Sequence, residues 1–169
     1  MGGETLLLWE SKNSFKLHKG TILVCLNGQE PLKISSQKGS ADILGPCTFI
    51  AEVTSNGGYK LICLSGKPVI RTGNDNAKIH AGRLVLVLGE TDSLGSAYDI
   101  NLLLLLQSSL LINGFTETPP TMKKIGLAVY SQQLRIGGKY NALIGDAVND
   151  EDLQMWVLGK KGKDKQSDK

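Results

Sequence analysis

Residues 48–65 read TFIAEVTSNGGYKLICLS. Two apolar runs, 48–54 and 59–65, flank Ser55-Asn56-Gly57-Gly58, where an Asn and two glycines can take the positive φ angles of a tight reversal. Runs of this length, rich in β-branched and aromatic residues on either side of such a turn, are the signature of a β-hairpin. Working back toward the N-terminus, the same rhythm predicts strands over 5–10, 15–18, 21–26 and 32–35, with a turn at Lys19-Gly20. Asn27-Gly28 is a second hairpin signal. Pro31, which lacks a ladder donor, pushes 32–35 toward a sheet edge.

Working forward, 68–71 and 83–88 read as strands separated by the polar loop 72–76. Leu84, Val85, Leu86, Val87 and Leu88 form an unbroken apolar run, which predicts a central strand buried on both faces. The pattern changes at Ser96. Ser96-Ala97-Tyr98-Asp99 fits a capping box, 100–112 is rich in straight-chain Leu, and Gly114 is a natural stop, so one long helix is expected over about 97–113. Leu102 to Leu106 make that helix apolar around most of its circumference, so it must be covered, by sheets wrapping it or by a second copy of the chain. Wrapping is the preferred alternative. Strands resume at 125–130, 134–136 and 140–144. Asn149-Asp150-Glu151-Asp152 ahead of an apolar run favour a short C-terminal helix over about 150–158, with a strand as the alternative. The expected class is α+β, predominantly antiparallel β, as a sandwich or a small barrel.

With 169 residues, 41% hydrophobic and 21% charged, the chain suits one globular domain over residues 1–158. The charge is unevenly placed. Removing the tail's five lysines and two aspartates from 19 basic and 16 acidic residues leaves 14 of each through residue 158, so the net +3 belongs to 159–169. Lys160, Lys161, Lys163, Lys165 and Lys169 form a cationic arm with no apolar residue to pack, expected to be disordered when free. Such an arm either solubilises the chain or attracts RNA, DNA or an anionic membrane by salt-sensitive, sequence-independent contacts. Lys123-Lys124 and Arg135 could extend that surface.

Specific chemical motifs are lacking. Cys25, Cys47 and Cys63 are odd in number and widely spaced, which suits neither a disulfide framework nor a zinc site. Cys25 and Cys63 fall inside apolar strands, whereas Cys47 follows Gly45-Pro46 and is the best placed for exposure. Paired with His18 or His80, one of these thiols could be a nucleophile, although burial would raise its pKa. Gly66-Lys67-Pro68 lacks the remaining residues of a phosphate-binding loop. The acids at 150–152 lack calcium-loop spacing. No cofactor or metal is therefore expected. The N-terminus carries no secretory signal, and Gly2 lacks the Ser or Thr at position 6 that favours myristoylation. No segment reaches the roughly twenty apolar residues of a transmembrane helix. An intracellular protein is expected, cytoplasmic or nuclear.

Small size, a neutral body, glycine-rich hairpins and a cationic arm together give the chain an overall character that resembles the small structural proteins of RNA viruses, especially the matrix type. That resemblance implies a non-enzymatic assembly protein that forms homo-oligomers. Its arm would contact RNA, a ribonucleoprotein or an anionic membrane. Two alternatives stand beside it: a small Cys-dependent enzyme, and a β-barrel module that binds a small apolar ligand.

Overall fold

A computed structural model of the chain describes residues 2–136, apart from 74, 90 and 92, together with the backbone of 140–144 and 154–158. Strands come first: β1 (Leu6–Ser11), β2 (Ser14–Lys19), β3 (Thr21–Leu26), β4 (Leu32–Ser35), β5 (Ser40–Leu44) and β6 (Cys47–Val53). β7 (Tyr59–Gly66), β8 (Val69–Arg71), β9 (Asn76–Lys78) and β10 (Arg83–Leu88) follow, then two short pieces, β11 (Ser93–Leu94) and β12 (Tyr98–Asp99). Three helices come next, α1 (Leu102–Ser108), α2 (Leu110–Asn113) and α3 (Met122–Ile136), and then β13 (Tyr140–Ile144) and β14 (Gln154–Leu158), which pair with each other.

One sheet runs β1-β2-β4-β5-β8-β9 and a second runs β11-β10-β7-β6-β3, with β12 also on β10. Pairings are antiparallel except for β2 with β4. Phe15, Leu17, Ile34, Ile43 and Ile70 of the first sheet interdigitate with Phe49, Ala51, Leu61, Cys63, Val85 and Val87 of the second. The result is a sandwich. Strands β7 and β10 then use their alternate residues, because successive side chains point to opposite faces. Ile62, Leu64, Leu84, Leu86 and Leu88 face outward and are covered by Leu102, Leu111, Ile112 and Ile125 of the helices. The unbroken apolar run in β10 thus serves two cores at once, as its composition predicted.

The hairpin of residues 48–65 forms with Val53 opposite Tyr59. At its turn Thr54 accepts from Gly57 and donates to Gly58 through the backbone, with Gly57 at φ +90°. The Asn27-Gly28 hairpin does not form. β3 and β4 belong to different sheets, so residues 27–31 carry the chain across the sandwich. Nor is β4 an edge. It lies between β2 and β5, and Pro31 is tolerated because it precedes the strand, whose Leu32 pairs with Ile43 and whose Lys33 N–H donates to Asn13 O at 2.8 Å.

The helix expected over 97–113 is corrected in two ways. Tyr98 and Asp99 pair with Leu84 and Arg83 as β12, and the N-cap is Asn101, whose side chain accepts from Leu104 N–H at 3.0 Å. The helix is then broken at Ser109, which is extended (φ −80°, ψ 117°). The cause is rotational. At about 100° per residue, Leu102 and Leu111 on one continuous helix would point in opposite directions. The break lets both reach the outer face of the second sheet. Asn113 Nδ2 donates to Leu106 O and Gln107 O, satisfying carbonyls at the end of α1. Wrapping by sheets is not found either. Within the leucine run Leu102 is buried and Leu105 and Leu106 are half-buried against the second sheet, while Leu103 and Leu104 face solvent, Leu104 58% exposed.

The strands expected at 125–130 and 134–136 are instead α3, whose Ile125, Ala128, Val129 and Gln132 recur at helical spacing on the face that packs down. The helix expected over 150–158 is also replaced. Residues 154–158 are a strand, with Gln154 opposite Ile144, and 150–153 lie outside the described residues. So does the arm carrying Lys160, Lys161, Lys163, Lys165 and Lys169. Among the described residues no helix is long and apolar enough to cross a membrane.

Candidate functional site

α3 is set against the sandwich by a buried amide. Gln132, 2% exposed, accepts from Leu102 N–H at 3.1 Å and donates to Gly82 O at 2.9 Å and Ile100 O at 2.7 Å. Gly82 has φ +83°, and a Cβ there would fall 2.0 Å from the Gln132 Nε2, so only glycine allows the approach. At the end of the helix, Arg135 grips Asp99 through two nitrogens at 2.5 and 3.3 Å, and Arg83 Nε lies 3.4 Å from the same carboxylate. Burial alone would raise the Asp99 pKa, but the hydrogen bond and charge of Arg135, reinforced by Arg83, hold the carboxyl below its usual range.

This docking opens a cleft of about 500 Å³ between α3 and the connection from β7 to β10. Lys67 and His80 stand on one wall and Lys124, Ser131 and Arg135 on the other. Partial desolvation, then the charges of Lys67, Arg83, Arg135 and Lys78, hold His80 below the usual imidazole range. The cleft therefore combines fixed cations with an imidazole kept neutral near pH 7, a set of donors suited to an anionic group. Reversing one of the cations, by Lys67→Glu, is expected to move the His80 titration upward, since an acid favours the imidazolium. Proton NMR of the imidazole across pH 5–8 reads this directly, and an unmoved titration would remove Lys67 from the cluster.

Beside the cleft the helical layer exposes a run of apolar side chains. Leu127 and Leu134 are 69% and 70% exposed and Tyr130 is also open to solvent. Leu103, Leu104, Leu110 and Phe115 continue this surface on α1, α2 and the loop beyond.

A second apolar opening lies on the other side of the molecule. One edge of each sheet, β1 and β3, leaves a groove of about 590 Å³ between them, lined by Leu6, Leu7, Trp9, Phe15, Val24 and Cys25 among others. Phe15 forms its floor and meets Trp9 edge to face, with ring centroids 5.4 Å apart.

The cysteines fall on three neighbouring strands, β3, β6 and β7, which the sequence spacing had kept apart. Cys47 is corrected from exposed to buried, because it begins the interior strand β6 opposite Leu26 and Gly66. Burial, with Cys25 nearby, pushes its thiol up to about 12. Burial also raises Cys63, whose sulfur lies 3.5 Å from Ser65 O. Neither environment favours a thiolate. Cys25, half-buried, lies 3.6 Å from Thr121 Oγ1, which in turn accepts from Thr48 Oγ1 at 2.7 Å. His18 is half-buried on the opposite face of β2 from Leu17, and His80 is exposed in the cleft. Among the described residues no three His, Cys, Asp or Glu side chains are grouped to hold a metal ion.

Of the site residues the sequence singled out, Lys124 and Arg135 share the cleft wall. The convergence of Lys67, His80 and Arg83 with them was missed. The signal was the Gly-Lys pair at 66–67, read only as a fragment of a phosphate loop.

No protein-family model and no curated protein matches the chain. Among solved structures it is similar to a protein of Parabacteroides distasonis ATCC 8503 provisionally described as an anti-sigma factor, at 9% identity and a TM-score of 0.40. That alignment covers 90% of this chain and 84% of the other, a likeness too remote to assign fold or function.

Proposed function

We propose that this protein is a non-enzymatic assembly or adaptor module that self-associates and contacts an anionic partner. The observation that supports it best is the β1 edge, a six-residue strand with one side unpaired among the described residues and with Leu6, Leu8 and Trp9 each more than half exposed. Free edges of this length normally carry charge or proline to prevent pairing with another chain. β1 carries a single charge, Glu10, near its end, and leucine and tryptophan over Leu6–Trp9, so strand addition between copies is a use open to it. The cationic arm at Lys160, Lys161, Lys163, Lys165 and Lys169 supplies the anionic contact, to RNA, ribonucleoprotein or membrane, in keeping with the matrix-type resemblance.

Light scattering after size exclusion tests this reading. The full chain is expected to form oligomers that grow with concentration, and Leu8→Lys with Trp9→Lys is expected to leave a folded monomer. A wild-type chain that stays monomeric throughout would overturn the self-association half. Deleting 159–169 is expected to weaken binding of a generic RNA or anionic vesicle without changing the thermal midpoint, and unchanged binding would remove the arm.

The groove between β1 and β3 favours a second reading, as a pocket for a small apolar ligand. Its volume falls in the range of ordinary ligand sites and its lining is largely apolar. On that reading, apolar ligands raise the thermal midpoint increasingly with concentration, roughly with the logarithm of free ligand above Kd, as any ligand selective for the folded state must.

A further inference from the structure

The helical layer has its apolar side turned outward as well as inward. On α3, Ile125 and Gln132 face the sheet, while Lys123, Leu127, Tyr130 and Leu134, spaced i, i+4, i+7 and i+11, lie on the opposite side and are exposed. This ridge is about 16 Å long at 1.5 Å per residue. On α1, Leu104 likewise stands two positions beyond the buried Leu102, on the far side of its helix. Both helices therefore project leucines away from the sandwich in the same direction. A solvent face on a surface helix is ordinarily polar, so this one is made to be covered.

The charges around the ridge indicate what covers it. Lys123 and Lys124 open α3, Arg135 closes it, and Lys67 faces it across the cleft. Asp99, near the end of α3, is already held by Arg83 and Arg135. Exposed leucines on a convex helix, a tyrosine among them and lysines at the border are the mixture that the interface of an anionic bilayer accommodates. The apolar tips enter the acyl boundary, the tyrosine sits at headgroup depth and the lysines reach lipid phosphates.

We infer that the outer face of α3, with the leucines of α1 beside it, is a peripheral docking surface for an anionic lipid membrane, with the basic cleft seating a headgroup phosphate. This inference deepens the anionic-partner half of the proposed function, rests on it, and does not depend on self-association.

Vesicle co-sedimentation with the full chain and with a chain lacking 159–169 provides the test, using phosphatidylcholine vesicles with and without phosphatidylglycerol. Both chains are expected to bind the anionic vesicles preferentially and to release as salt rises. Leu127→Gln with Leu134→Gln, and separately Lys123→Glu with Lys124→Glu, are each expected to weaken binding by about tenfold or more. Because all four side chains are exposed, far-UV circular dichroism and the thermal midpoint should stay at wild-type values. Binding lost with the tail but indifferent to the α3 variants would overturn the inference while leaving the arm's role standing. Absence of binding by either chain would overturn the inference, and RNA binding by the full chain would then decide whether the wider reading survives. Equal binding to neutral and anionic vesicles, or α3 variants that abolish oligomers instead of vesicle binding, would also overturn it, the latter assigning the face to a second copy.

Discussion

Replacing Gln132 with leucine is expected to destabilise the fold by about 2–3 kcal/mol, the cost of taking the amide from the buried Leu102 N–H and the part-buried Ile100 carbonyl, while the Gly82 carbonyl keeps the Ile100 N–H at 3.0 Å. The leucine is close in size, so packing is largely kept and the loss isolates the hydrogen bonds. Leu102 N–H loses its acceptor, and the carbonyls of Gly82 and Ile100 lose a donor, at the junction where α3, α1 and the turn before β10 meet. Urea unfolding should show the midpoint falling, and hydrogen exchange should show α3 losing protection first. Gln132→Glu sharpens the test. Its ionised carboxylate would face two carbonyls, so its pKa must rise in the folded state, and the protonated acid can donate where the carboxylate cannot. Stability of that variant is therefore expected to recover as pH falls through the raised value. A Gln132→Leu protein as stable as wild type would show that the amide does not anchor α3.

Phe15→Ala is expected to cost about 3–5 kcal/mol, because a fully buried aromatic leaves a cavity that two rigid sheets close only in part. Phe15 is 1% exposed and sits where β2 meets β4, in register with Ile34, while its ring also supports Trp9 at the groove. The loss should appear in both the unfolding midpoint and the tryptophan emission. Trp9→Ala provides the contrast. That side chain is 63% exposed, so its removal should change stability by less than about 1 kcal/mol while reducing oligomer formation. Equal destabilisation by the two substitutions would mean that the edge is already buried, as in an obligate dimer. A Phe15→Ala protein of near wild-type stability would contradict the packing of the two sheets.

Several parts of this architecture are legible in the chain alone, for local reasons. The hairpin around Asn56-Gly57 can be read because turn chemistry and the short apolar runs on either side of it act over a few residues. The double burial of β10 can be read because a strand with apolar residues at every position has no solvent face. Partner choice cannot be read in the same way. Asn27-Gly28 has suitable turn residues, yet β3 takes β6 and β4 takes β2, because the burial gained by closing a sandwich outweighs a local preference worth a few tenths to one kcal/mol. The helix at 122–136 was obscured for a related reason. Its buried stripe includes Gln132, a polar residue whose place inside is justified only by carbonyls 32 and 50 positions away.

The sequence by itself determined that this is a β-rich chain with an aliphatic core, a neutral body and a cationic arm. Those properties are sums over residues or patterns within a few residues, which no folding step can alter. Only the tertiary structure decided that Lys67 meets Arg135 across a cleft, that β1 and β3 each end a sheet, and that Leu104 of α1 and Leu127 and Leu134 of α3 point outward. Each of these depends on which face of an element finds a partner. That choice is made by the competition for burial among all the elements together, and it leaves no mark within any single stretch of the chain.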